Sequence, residues 1–138
     1  MKPLIHILLA EDNDGDVLLV SEALDLHELK YELHVASDGL QAANYLERID
    51  SEQGVPCPDL LLLDLNLPKK DGFELLTLFR AHPLCSSNPV IVISSSGAPR
   101  DRERAAEFSA HFFRKPSDFD DFMELGALVR KTVQGESV

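Results

Sequence analysis

The run DLLLLD at 59–64 constrains this chain more than any other stretch. Successive side chains on a strand point to opposite faces, so four consecutive leucines require a sheet covered on both sides. Helices are the usual cover, and the chain supplies them between its strands. LIHILLA at 4–10 and PVIVIS at 89–94 are further apolar runs of strand length, YELHVA at 31–36 alternates as a half-exposed strand does, and AHFFR at 110–114 is a short fifth strand. Val17, Leu18, Val20 and Leu24 recur at helical spacing over 14–27, and Leu40, Ala43, Leu46 and Ile49 do so over 40–49. FELLTLFRAH is a third helix stopped by Pro83, and Pro99 opens a fourth through RDRERAAEF. Ser117 is the expected cap of a last helix carrying Phe119, Phe122, Met123, Leu125, Leu128 and Val129. Five β-α units without repeat or linker predict one α/β domain, a doubly wound parallel sheet with its core over about residues 4–133.

The 138 residues carry 24 acidic and 13 basic side chains, a formal net charge of -11. That balance argues against nucleic acid or an anionic membrane as partner. The start, MKPLIHILLAEDND, is too short in its apolar run and too acidic for a signal peptide, and no run reaches transmembrane length, so a cytoplasmic protein is expected. Cys57 and Cys85 match no ligand pattern and are expected as free thiols. His6, His27, His34, His82 and His111 are scattered, so histidine metal ligation is not expected.

In a doubly wound sheet, ligands bind at the carboxyl ends of the strands. Strand 1 delivers Glu11 and Asp12 there, strand 3 Asp64, strand 4 Ser94 and strand 5 Lys115. Each alone reads as an ordinary loop or cap residue; their joint placement points to chemistry. Three close carboxylates repel one another unless a cation joins them, and oxygen ligands with open positions suit Mg²⁺. Asp64 is then a nucleophile suited to phosphorus, with Lys115 offsetting charge on the phosphoryl oxygens and Ser94 donating to one of them.

With AEDND at 10–14, LLLLDLNLPKKDG at 60–72, PVIVISS at 89–95 and FFRKP at 112–116, the chain resembles the receiver domains of two-component response regulators over almost its whole length. The resemblance implies a flavodoxin-like (βα)5 fold with strand order 2-1-3-4-5. It implies phosphorylation of Asp64 by a sensor histidine kinase, and Mg²⁺ held by Glu11, Asp12, Asp64 and the backbone carbonyl of Asn66. It further implies a phosphoryl contact from Lys115 beside a cis bond to Pro116, and a switch in which Ser94 moves and the ring of Phe112 changes rotamer. Phe113, one residue on, is expected to pack in the core. Asn66 and Ser96 resemble the variable positions that tune dephosphorylation; neither is a strong base, so a phosphoryl lifetime of minutes or longer is expected. Gly72 is expected to let the loop after Pro68 fold back through a φ that other residues disfavour.

The chain stops after the fifth helix, so a single receiver domain over 1–138 with no output domain is expected, signalling through protein contacts. NLPKKDG and the SEQGVPCP loop look most like single-domain regulators paired with bacterial phytochromes, a subfamily that often dimerises through helix 4, strand 5 and helix 5. Such a protein catalyses only its own phosphotransfer and dephosphorylation and is not otherwise an enzyme. A phosphorelay intermediate and a non-phosphorylated binding module are the alternatives. A phosphohydrolase would want an acid two residues after Asp64, where Asn66 stands.

Overall fold

The computed structural model describes residues 4–51, 54–69 and 71–134. Glu52, Gln53, Lys70 and the tail at 135–138, expected as loop or frayed end, lie outside the described residues. The strands are β1 (Ile5–Ala10), β2 (Tyr31–Ala36), β3 (Leu60–Asp64), β4 (Val90–Ser94) and β5 (His111–Arg114). They form one parallel sheet in the order β2-β1-β3-β4-β5. The helices are α1 (Asp14–Leu26), α2 (Gly39–Ser51), α3 (Gly72–Ala81), α4 (Pro99–Glu107), α5 (Phe119–Phe122) and α6 (Glu124–Gln134). The last predicted helix is thus two pieces, broken at Met123.

Central β3 and β4 are buried at every position, whereas the edge strands β2 and β5 are not. Leucines 60 to 63 supply both cores by strict alternation. Leu60 and Leu62 join Ile7, Ile91 and Ile93 beneath α1 and α6, where Val20, Ala23, Leu24, Leu125 and Val129 close the layer. Leu61 and Leu63 join Leu8, Val90 and Val92 beneath α2 and α3, with Phe73, Leu75, Leu76 and Phe79. Leu18 and Leu40, counted with the apolar stripes of α1 and α2, face solvent instead.

Local signals account for most helix starts. The Asn13 side chain accepts from the Asp16 N–H at 2.9 Å, and Asp71 caps α3 through the Phe73 N–H at 3.1 Å. The cap of α5 is Asp118, which accepts from the Asp120 N–H, rather than the expected Ser117; the better placed carboxylate wins the orphan donor. Arg80 ties the opposite end of the sheet together, donating to the carbonyls of Phe108, Ser86 and Asn88 at 2.8, 3.1 and 2.6 Å.

Two expectations fail here for one reason: adjacency across strands is invisible in local sequence. Cys57 and Cys85, expected as separate thiols, are paired as a disulfide with Cα atoms 5.9 Å apart. Their loops lead into neighbouring strands β3 and β4 and are joined as well by Asn88 Nδ2, which donates to the Pro58 carbonyl at 2.8 Å. The histidines do not all stay scattered either: pairing of β1 with β2 sets His6 beside Glu32 and His34.

Candidate functional site

The strand ends converge as the topology requires. Glu11 follows β1, Asp64 ends β3, Ser94 ends β4 and Lys115 follows β5, and one carboxylate oxygen each from Glu11, Asp12 and Asp64 lie within 4.8 Å of one another. Asp64 is not stranded among the leucines that precede it. Its Oδ1 accepts from the Asn66 N–H at 2.9 Å and its Oδ2 from Lys115 Nζ at 3.0 Å. Glu11 and Asp64 are only 2% and 4% exposed, while Asp12 is open to solvent, so the trio forms a pocket with one wet side.

Lys115 is the hub. Its Nζ lies 2.8 Å from Glu11 Oε1 and 2.8 Å from Asp16 Oδ2, besides the Asp64 contact. Burial opposes its charge, but the hydrogen bonds it donates to Asp16, Glu11 and Asp64 outweigh that and hold the ammonium firmly protonated. Asp16 is the partner that sequence reasoning missed. It sits in the first turn of α1, inside an EDNDGD cluster where nothing marks it out from Asp14. Only the direction in which α1 leaves the sheet selects it.

The Glu11 carboxyl is pushed up to about 7, first by burial and then by the neighbouring Asp64, against the lowering effect of Lys115. One ammonium does not fully satisfy the buried acids, and a divalent cation on the same oxygens would relieve them; the oxygen-only donor set fits a hard ion. A carboxyl raised in the folded state favours folding while protonated. Its contribution is fully present below the ordinary value of 4.5 and is lost as pH rises through about 7. Chelator-treated protein is therefore expected to lose at most about 3 kcal/mol from Glu11 between pH 5 and pH 8. Melting curves should show the gain from added Mg²⁺ widening over that range, and a Glu11→Gln variant should show no such widening. Parallel curves with and without metal in the parent protein would refute this.

Ser94 is 1% exposed; its Oγ accepts from the Ser96 N–H at 3.1 Å, and its carbonyl accepts from the Lys115 N–H at 2.8 Å. Ser96 Oγ accepts in turn from the Ala98 N–H at 3.2 Å, which shapes the turn into α4. The half-buried ring of Phe112 lies on the α2–α3 side of the sheet with the Arg102 guanidinium 4.6 Å above its centroid, while Phe113 points to the other side and meets Phe122 edge-on at 6.0 Å. The two rings therefore pack on opposite faces of the sheet.

Two local expectations are corrected. Among the described residues no peptide bond is cis, so Lys115–Pro116 is trans. An X–Pro bond prefers trans by only about 0.5–1 kcal/mol, and Lys115 reaches its three carboxylates without the other isomer. Gly72 does not use a positive φ; the left-handed position in that loop is Lys69, at φ 72°. Gly72 is needed for space, because a Cβ there would stand 3.0 Å from Leu65 Cα. Lys69 Nζ, largely exposed, pairs with Asp38 Oδ2 at 3.3 Å.

Comparison with known proteins agrees with this geometry. A family model described as the response regulator receiver domain matches residues 7–126. Response regulator Rcp1 of Synechocystis is 42% identical over 90 residues, covering 65% of this chain and 61% of that protein. The phosphorylated cyanobacterial phytochrome response regulator RcpA superposes with a TM-score of 0.86 at 29% identity, over 98% of each chain. The Mn²⁺-bound form of Rcp1 superposes with a TM-score of 0.81 at 33% identity, over 92% of each. No helix among the described residues is long and apolar enough to cross a membrane. Sheet order, acidic pocket and sequence match agree, and the chain belongs to the response regulator receiver domain family.

Proposed function

We propose that this protein is a single-domain response regulator whose Asp64 accepts a phosphoryl group from a phosphohistidine on a sensor histidine kinase. The observation that carries the reading is the setting of Asp64: a carboxylate at a strand end, fixed by the Asn66 N–H and by Lys115, opening onto two further acids. One Asp64 oxygen attacks phosphorus; the new O–P bond forms as the P–N bond of the donor breaks, and its electron pair leaves with the imidazole. Glu11, Asp12, Asp64 and the Asn66 carbonyl are the ligands proposed for Mg²⁺, which supplies positive charge for the phosphoryl oxygens when bound. The Lys115 ammonium then turns from the carboxylates to a phosphoryl oxygen, and Ser94 Oγ exchanges its Ser96 contact for another. Movement of Ser94 and of the turn behind it reaches Phe112 beneath Arg102, so the face of α4 and β5 reads the charge at Asp64.

The likeness to RcpA and Rcp1 supports a kinase of the phytochrome class as the donor. The face of α4, β5 and the last helix, here α5 with α6, is proposed as the surface of self-association or partner binding. Incubation with acetyl phosphate and Mg²⁺ should add one phosphoryl group by intact mass, and chelator should prevent it. The label should persist for minutes or longer after donor removal, since Asn66 and Ser96 provide no strong base. Metal-independent labelling, or none from a matched panel of kinases, would overturn the reading.

A further inference from the structure

A second cluster of ligand atoms lies outside the acidic pocket. In the β1–β2 pairing, His6 stands opposite Glu32, and His34 lies two residues further along β2 on the same face. His6 Nδ1 and His34 Nε2 are 3.3 Å apart. Glu32 Oε2 lies 3.8 Å from His6 Nδ1, and Glu32 Oε1 lies 4.0 Å from His34 Nε2. Both rings are held in place. The His6 ring stacks on that of His34 with centroids 5.5 Å apart, the His34 ring packs 5.4 Å from that of Tyr45 on α2, and the backbone N–H of His6 donates to Asp59 Oδ2 at 2.8 Å.

We propose that His6, Glu32 and His34 form a second metal site, taking a borderline transition ion such as Zn²⁺ through two imidazole nitrogens, one carboxylate oxygen and water. Two nitrogens bound at about 2.0–2.1 Å to a tetrahedral ion stand roughly 3.4 Å apart, close to the separation already present. The carboxylate must close by about half an ångström, and the Glu32 side chain, 54% exposed, can swing without disturbing the core. Two imidazoles with one carboxylate select Zn²⁺ or its neighbours over Mg²⁺ and Ca²⁺, which prefer all-oxygen sites. The donors are a quarter to a half exposed, so an ion reaches them from solvent. His6 lies on β1 five residues before Glu11, which follows that strand, roughly 16 Å of extended chain, and the two ligand sets share no residue. A bound ion would clamp edge strand β2 to β1.

The test is Zn²⁺ titration of chelator-stripped protein against a chromophoric chelator, with excess Mg²⁺ present to occupy the acidic pocket. The parent should bind one equivalent more tightly than the His6→Gln/His34→Gln double variant, by more than about 100-fold. Glu32→Gln alters only an exposed side chain, so it keeps the fold, and it should weaken Zn²⁺ by about tenfold or more. Co²⁺ should give the intense visible band of a tetrahedral site in the parent and lose it in the double variant. Equal Zn²⁺ affinity in the parent and in folded Glu32→Gln, or an unchanged Co²⁺ spectrum in the double variant, would overturn the site.

Discussion

Asp64→Asn is expected to abolish phosphoryl acceptance altogether, with no gain of mass from acetyl phosphate or from a cognate kinase. The amide is isosteric but too weak a nucleophile to form the acyl phosphate. It also removes one of the three carboxylates proposed to hold the cation, so stabilisation by Mg²⁺ should fall sharply from the roughly 2.7 kcal/mol expected for a ligand at 100 times its Kd. The fold should survive. In the metal-free protein Asp64 pairs with Lys115 but also raises Glu11, and Lys115 keeps Glu11 and Asp16 when Asp64 is neutral. Metal-free Asp64→Asn should therefore melt close to the parent and show a flatter pH dependence. Stoichiometric labelling that persists in the variant would place the acceptor elsewhere.

Gly126→Ala is expected to produce the largest loss of stability from a single methyl group. Gly126 is buried in α6 where that helix crosses α1. A Cβ there would overlap the Ala23 carbonyl oxygen and His27 Cδ2, and would lie 2.9 Å from the Ala23 carbonyl carbon. The obstruction is largely backbone and cannot swing aside. His27 is itself engaged, with its Nε2–H donating to the Met123 carbonyl at 3.2 Å. Helix propensity favours alanine by about 1 kcal/mol. Overpacking costs about 1–3 kcal/mol and more against rigid backbone, so the steric term wins. A net loss of about 2 kcal/mol or more should lower Tm by roughly 5–10 °C, read from thermal melts of parent and variant in the same Mg²⁺ buffer. A variant as stable as the parent would show that α6 yields more easily than this packing implies.

The fold was legible because its signals are local and periodic. Leucines 60 to 63 announce a strand buried on both faces, YELHVA an edge strand, and Pro99 and the acids after Ala10 announce helix starts. Once a parallel sheet is granted, right-handed crossovers bring Glu11, Asp12, Asp64, Ser94 and Lys115 to one edge. These residues were therefore identifiable from their positions at strand ends. Resemblance added the strand order.

What sequence alone determined is the periodicity of each segment, and through it which residues end the strands. The tertiary structure alone decided which groups meet across elements. The turn of α1 brings Asp16 to Lys115, neighbouring strand entries join Cys57 to Cys85, and the β1–β2 register sets His6 against Glu32 and His34. The same holds for Gly72, whose small size matters because α3 starts against Leu65. Periodicity is a property of covalent neighbours, whereas these contacts depend on the packing angle and register of segments far apart in the chain, which only the assembled cores specify.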